Sequence, residues 1–299
     1  MEQKRCLEKL KYCRFFMIIF LIFLFVGNIW SLPSDLMGVI NANLSSEDIS
    51  ISSLSVDTVY YNPANLSFLE YNSLKFSHIS YLSDISQESL AFGLILNESS
   101  SFGIFLNYLH LSDIKFDRDN YKSLKNEGYF NGRLSYGLNL GDGFLIGSGI
   151  KYGFDMSETK YRFNSFLGLD FGIAFDQILF PYNTLEFYFE NLLTNSKDST
   201  FSFYSGMLNM IDEGIFLSLG FHYFINLPNI FSVGFQFEPI SNLIKIKTGF
   251  KYNNKRENFI NFIFLGFGIS LENFNLEYSF IPIFSFEGIV HKISLEILF

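Results

Sequence analysis

Cysteine is almost absent from this chain. The two present, Cys6 and Cys13, both fall in the first few turns of sequence, and none follows. That excludes a disulfide framework for the remainder and leaves no cysteine to carry a lipoprotein anchor. Charge is scarce as well: Asp, Glu, Lys and Arg make up 17% of residues, against roughly 25% in ordinary soluble domains. Basic charge is scarcest, with a net of −9 and a sequence pI near 5.0, which excludes the basic surface that nucleic acid demands. After Val26 no apolar stretch approaches the roughly 20 residues of a membrane-spanning helix. What the chain does have is apolar bulk, 48% hydrophobic and 19% aromatic, with 39 Phe and 17 Tyr. Lipid accepts only helices or closed sheets, so high hydrophobicity without a spanning helix points to a β-barrel.

The N-terminus reads as an address. Lys4, Arg5, Lys9, Lys11 and Arg14 precede an unbroken apolar run from Phe15 to Val26, followed by Gly27, Asn28 and Ser31. A basic start, a short apolar core and small residues after it predict a cleaved signal peptide over residues 1–31. The leader carries more base than acid, so its loss leaves the rest more acidic still.

Period-two alternation then recurs down the chain. Phe130, Gly132, Leu134, Tyr136 and Leu138 oppose Asn131, Arg133, Ser135, Gly137 and Asn139. Ile150, Tyr152 and Phe154 oppose Gly149, Lys151 and Gly153; Leu167, Leu169 and Phe171 oppose Gly168, Asp170 and Gly172. Ile244, Ile246 and Phe250 oppose Lys245, Lys247 and Lys251. A strand sorts such residues onto two faces, whereas a helix would scatter them. The last strand ends flush on Phe299, with Ile293, Leu295 and Ile297 on its apolar face. Phe299 is therefore expected to serve as the assembly signal read by the barrel-assembly machinery.

Thirteen such runs are plain, and bacterial barrels have an even count with both termini at the short-turn, periplasmic end. Admitting the weak run at 200–207 restores parity. Gly141–Gly143, Pro239–Asn242 and Glu272–Asn273 then become periplasmic turns, and 111–128, 156–160, 192–199 and 253–259 external loops. The expectation is an all-β fold: a transmembrane antiparallel β-barrel of about 14 strands over residues 73–299. Such a lumen is wider than side chains alone can fill. Residues 32–72 are expected to act as a short N-terminal hatch inside it.

The pre-barrel segment reads Asp57-Thr58-Val59-Tyr60-Tyr61-Asn62-Pro63-Ala64. This resembles the N-terminal signature of the FadL-like outer-membrane transporters. The closing segment, with Glu277, Tyr278, Gly288, His291 and Phe299, looks like the end of those proteins. The match is closest to an uncharacterised spirochaetal branch related to PorV-type barrels. The resemblance implies a hatch-blocked barrel that moves hydrophobic or amphipathic solutes, such as long-chain fatty acids, across the bacterial outer membrane. It carries the hatch motif onto Asn62, Pro63 and Ala64, and implies outer-membrane lipid and a hydrophobic small molecule as partners. This chain is shorter than the fatty-acid importer. Two other functions fit the same residues: a PorV-like barrel that partners or shuttles secreted proteins, and a general hydrophilic porin.

Within the segment, Pro63 pushes Asn62 to extended backbone, and an Asn side chain readily caps a turn. The alternatives are a hinge that shifts with ligand and a plain helix or turn start. Arg133, Lys151, Lys245, Lys247 and Lys251 fall on the lumen face, where charges tune selectivity. Asp170, Glu186, Glu190, Glu238, Glu272 and Glu277 are expected to share that face and to pair with them, holding the wall rigid. His78, His110, His222 and His291 have no metal spacing. No nucleophile elbow or phosphate loop is present, and Gly147, Gly149 and Gly153 lie on one strand face without a following helix. No enzyme activity, cofactor or metal is expected.

Overall fold

The computed structural model describes residues 55–81, 85–111, 127–155, 165–177, 182–194, 201–225, 229–241, 243–253, 262–283 and 288–299. The expected signal peptide, residues 32–54 of the expected hatch and most of the expected external loops lie outside them. Fourteen strands follow one another: β1 (Ser73–Ser80), β2 (Ile85–Asn97), β3 (Ser100–Leu111), β4 (Glu127–Asn139), β5 (Phe144–Asp155), β6 (Ser165–Asp176) and β7 (Asn183–Thr194), then β8 (Ser202–Asp212), β9 (Ile215–Phe224), β10 (Ile230–Ile240), β11 (Ile244–Asn253), β12 (Phe262–Leu271), β13 (Phe274–Ile283) and β14 (Gly288–Leu298). Each pairs antiparallel with its sequence neighbours, and β1 pairs with β14, closing the barrel. Closure leaves no sheet edge to satisfy in lipid.

The alternation sets the faces. Leu134, Tyr136, Ile150, Tyr152, Leu265 and Phe267 are exposed on the outside, while Asn131, Arg133, Ser135, Lys151 and Asp170 are buried toward the lumen. Turning one face to lipid and the other inward is what a spanning strand needs. Connections are short at one end: Glu98–Ser99 joins β2 to β3, Glu213–Gly214 joins β8 to β9, and Glu272–Asn273 joins β12 to β13. The Gly141-Asp142-Gly143 turn lies at the same end, all three residues at positive φ. Ser73 and Leu298 stand opposite each other there, so the barrel begins and ends at its short-turn end.

The weak run is a full strand. β8 extends to Asp212, farther than its alternation implies, and pairs along its length with β7 and β9. One irregularity matters for the interior. The β6–β7 register shifts between Leu169 and Phe171, and Asn191 opposite takes a φ of 55°. Its N–H donates to Asp170 Oδ1 at 2.7 Å. The extra residues are on β7, so the bulge turns the Asn191 backbone N–H toward the lumen carboxylate of Asp170.

Candidate functional site

Ahead of the barrel, a four-residue helix α1 (Thr58–Tyr61) runs into a 3-10 helix at Pro63–Phe68. Asn62 joins them with φ −151° and ψ 105°, the extended backbone that a following proline requires. Its N–H closes α1 on Thr58 O at 3.0 Å. Its side-chain Oδ1 accepts from Ala64 N at 3.1 Å, capping the 3-10 helix. Pro63 has no N–H, so Ala64 offers the first donor to a cap. Asn-Pro-Ala is thus a compact corner, and Asn62, Pro63 and Ala64 are all buried.

The corner sits in a hollow of the wall. Gly137, Gly147 and Gly172 are register partners across β4, β5 and β6. A Cβ on Gly147 would lie on Ala64 N and the Pro63 carbonyl carbon; one on Gly172 would lie on Asn62 Oδ1. On Gly137 it would come within 2.7 Å of Pro63 O. Any side chain at these positions displaces the corner. Apolar contacts flank the hollow: Ala64 packs with Leu145, Ala174 and Phe68, and Val56, Val59 and Leu66 pack with Ala91 and Phe105.

Wall side chains satisfy the polar groups that the short helices leave open. Glu296 on β14 accepts from Val56 N at 3.2 Å, at the start of α1. Ser135 on β4 donates to Val59 O at 3.0 Å, and the Arg133 guanidinium donates to Tyr60 O. These are the orphan donors and acceptors that every helix end presents. Glu186 on β7 accepts from Asn65 Nδ2 at 2.5 Å and from Asn62 Nδ2 at 3.2 Å. Asp57 pairs with Lys75 on β1 at 2.5 Å. Burial works to raise the Asp57 pKa, but Lys75 and then Lys292 outweigh it and hold the carboxyl below its ordinary value of 3.8. These ties run through side chains rather than strand pairing, and reach from β14 round to β7.

Two charge networks gather the lumen residues. Arg133 Nη2 donates to Asp170 Oδ2 and to the Tyr188 hydroxyl, each at 2.5 Å, and the guanidinium stacks on the Tyr60 and Tyr188 rings. Lys151 pairs with Glu190 at 2.6 Å and approaches Asp170 at 3.6 Å. In the second network Lys247 meets Glu277 at 2.7 Å, and Glu277 also approaches Lys75 at 3.6 Å. Lys245 stands two strands from Glu277, with Gly268 of β12 between them. Lys251 is buried beside Ser232. Acids and bases therefore meet across the inner wall, while Glu272 is exposed in the β12–β13 turn. Phe299 lies apart, 63% exposed, its ring stacked on Phe92 and its N–H bonded to Asn72 O at 2.9 Å.

Sequence reasoning placed Asn62 at a turn but did not connect it to Glu186, nor Asp57 to Lys75, nor α1 to Ser135 and Glu296. Lys75 and Glu296 were findable. Each is a charged residue alternating with apolar neighbours, hence turned inward.

No protein-family model matches the chain, and no curated protein matches it. Among solved structures it is similar to the Pseudomonas putida toluene transporter TodX, with a TM-score of 0.58 and 10% identity, covering 81% of this chain and 94% of that one. It is similar also to a Pseudomonas aeruginosa FadL homologue, with a TM-score of 0.56 and 12% identity over 81% of this chain and 94% of that one. The structural neighbours are thus FadL/TodX-family outer-membrane barrels, and at these identities the likeness is one of fold.

Proposed function

We propose that the protein is an outer-membrane channel for hydrophobic or amphipathic solutes, long-chain fatty acids among them, closed at rest by its N-terminal hatch. The observation that carries this reading is the seating of Asn-Pro-Ala in the glycine hollow. The hatch is fitted closely to the wall, yet held by side-chain contacts that can be exchanged one by one. A structural insert meant to stay would gain more from strand pairing, whose bonds are numerous and mutually reinforcing.

The inner surface suits an apolar cargo. Toward the loop end, Ile79, Leu109 and Val290 form a buried cluster with Tyr81, Ile85 and Tyr129 against it, all at inward positions. A solute entering there meets apolar wall before it meets the hatch. The paired lumen charges leave little net field to draw in small ions, which weighs against a general porin.

Cells expressing the intact chain should take up radiolabelled oleate or toluene faster than cells without it. Replacing Pro63 by Ala, which relaxes the Asn62 backbone, should reduce that uptake while leaving heat-modifiable barrel unchanged. Uptake equal to that of empty cells for both solutes, with folded barrel present, refutes the transport reading.

A further inference from the structure

One tier of the inner wall, between the apolar cluster at the loop end and the hatch, is polar yet uncharged. Ser294 on β14, Ser77 on β1, Ser89 on β2, Asn107 on β3 and Asn131 on β4 are register partners in turn across five consecutive strands. Alternation turns all five inward. The next inward residue of each strand toward the turns serves the hatch. Glu296, Lys75 and Arg133 bond to it, and Ala91 and Phe105 pack against it. Toward the loops, Ile79, Leu109 and Tyr129 belong to the apolar cluster. A solute coming from the loop end therefore meets apolar wall, then this tier, then the hatch.

Asn107 and Asn131 stand directly opposite each other, each 4% exposed. The Oδ1 of both is buried with no hydrogen-bond partner among the described residues, and so is Ser294 Oγ. Leaving a buried acceptor unmade is costly, and what these atoms need is a donor. Charge does not answer that need, since no member of the tier ionises. Arg133, next to Asn131 on the same face, is held by Asp170, Tyr188 and Tyr60 O. Lys75 is held by Asp57. Lys292 stands beside Ile79 on β14, three strands from Asn107.

We propose that this tier is the head-group subsite for an uncharged solute with a hydroxyl on an apolar chain, an assignment that rests on the channel reading and narrows it. The chain lies among Ile79, Leu109 and Tyr129, and the hydroxyl reaches Asn107 and Asn131. A carboxamide offers an oxygen acceptor and N–H donors; a hydroxyl both donates and accepts, so it complements either end of the group. The terminal torsion of Asn is broad, so each carboxamide can turn its oxygen to the occupant. An ether oxygen has no donor to give. A carboxylate has none either, and would bring a buried charge that no residue of the tier neutralises.

Saturable binding of radiolabelled ligand to the purified full chain in mild detergent tests the subsite. The probes are tetradecanol, its methyl ether and tetradecanoate, which share one chain and differ in the head. Tetradecanol should bind at least tenfold more tightly than either of the others. N107L/N131L should remove that difference while the heat-modifiable barrel is retained, and N131L alone should reduce it. Equal binding of tetradecanol and its methyl ether by the unaltered protein overturns the proposal whether or not the variants fold, and leaves the tier to water. Tighter binding of tetradecanoate overturns it in favour of a carboxylate site at Lys292. An alcohol preference that persists in folded N107L/N131L overturns it by placing the acceptor elsewhere. In each of these cases uptake of oleate or toluene still stands for the channel; binding of none of the three probes, together with no uptake, overturns the channel reading as well.

Discussion

Gly147 is where the wall and the hatch come closest. Its missing side chain leaves the volume taken by the Pro63–Ala64 peptide. Valine at this position suits a strand, since β-branched residues pack well on a pleated wall, but its methyls overlap the corner. Gly147→Val is therefore expected to leave the yield of heat-resistant barrel near normal while unseating the hatch. In planar bilayers its ion conductance should exceed that of the parent several-fold; unchanged conductance would show that the corner is seated elsewhere. Glu186 acts from the other side. Glu186→Ala leaves the Asn62 and Asn65 amides buried without their acceptor, at roughly 1–3 kcal/mol, and should loosen the hatch similarly. The Asp57–Lys75 pair adds a pH dependence with a definite sign. The seated hatch holds the Asp57 carboxyl below 3.8, so its contribution is complete above that pH and is lost as pH falls through the lowered value. The Asp57–Lys75 pair should thus cause no loss of closure from neutral pH down to about 5, and the rise in conductance that it produces should come only under strongly acidic conditions. Asp57→Asn should remove that acid response; an acid response equal to the parent's would place its origin in another group.

At the scale of single elements, alternation made most strands legible, and its failure at β8 has a local cause. The outward positions Ser205 and Asn209 are polar, while the inward Leu208 and Met210 are apolar, so the pattern that marks a spanning strand is reversed there. Neighbouring strands still fix the register, and Asn183 Nδ2 donates to Asn209 Oδ1 at 2.5 Å, so this outward amide has a partner. Parity of the barrel located this strand where residue pattern could not. The Asn62 turn was legible because Pro63 acts on its immediate neighbour. The glycine hollow was not, because Gly137, Gly147 and Gly172 become one surface only when β4, β5 and β6 are in register. Nothing local ties them to a segment more than seventy residues earlier in the chain. The terminal element carries its own expectation. Phe299 stands against Asn72 and Phe92 just beyond the β1–β14 seam. Its deletion should lower the folded, heat-modifiable fraction in the outer membrane without changing synthesis. A normal folded yield would remove Phe299 from assembly.

For the molecule as a whole, the fourteen-strand closure raises the question of what fills the lumen. Side chains can fill a barrel of about eight strands; this one has fourteen. Residues 55–69 reach wall side chains from β14 round to β7 and bury Val56, Val59, Ala64 and Leu66 completely. That burial is shared between hatch and wall, so each is incomplete without the other. Removing residues 32–72 should leave the barrel itself intact, because strand pairing closes the ring without the hatch. It would also uncover the glycine hollow and leave Arg133, Glu186 and Glu296 without their hatch partners. Water would replace those contacts, and the inner wall, already polar at Ser135, Asn131 and Lys151, would line an aqueous path. The truncated protein should therefore run as a folded barrel on a semi-native gel and form a steady ion channel in a planar bilayer, whereas the full chain should conduct poorly. A large, steady conductance from the full chain would mean that the hatch does not occlude the lumen, and would transfer the protein to the porins. A closed full chain and a closed truncation together would place the barrier in the wall itself.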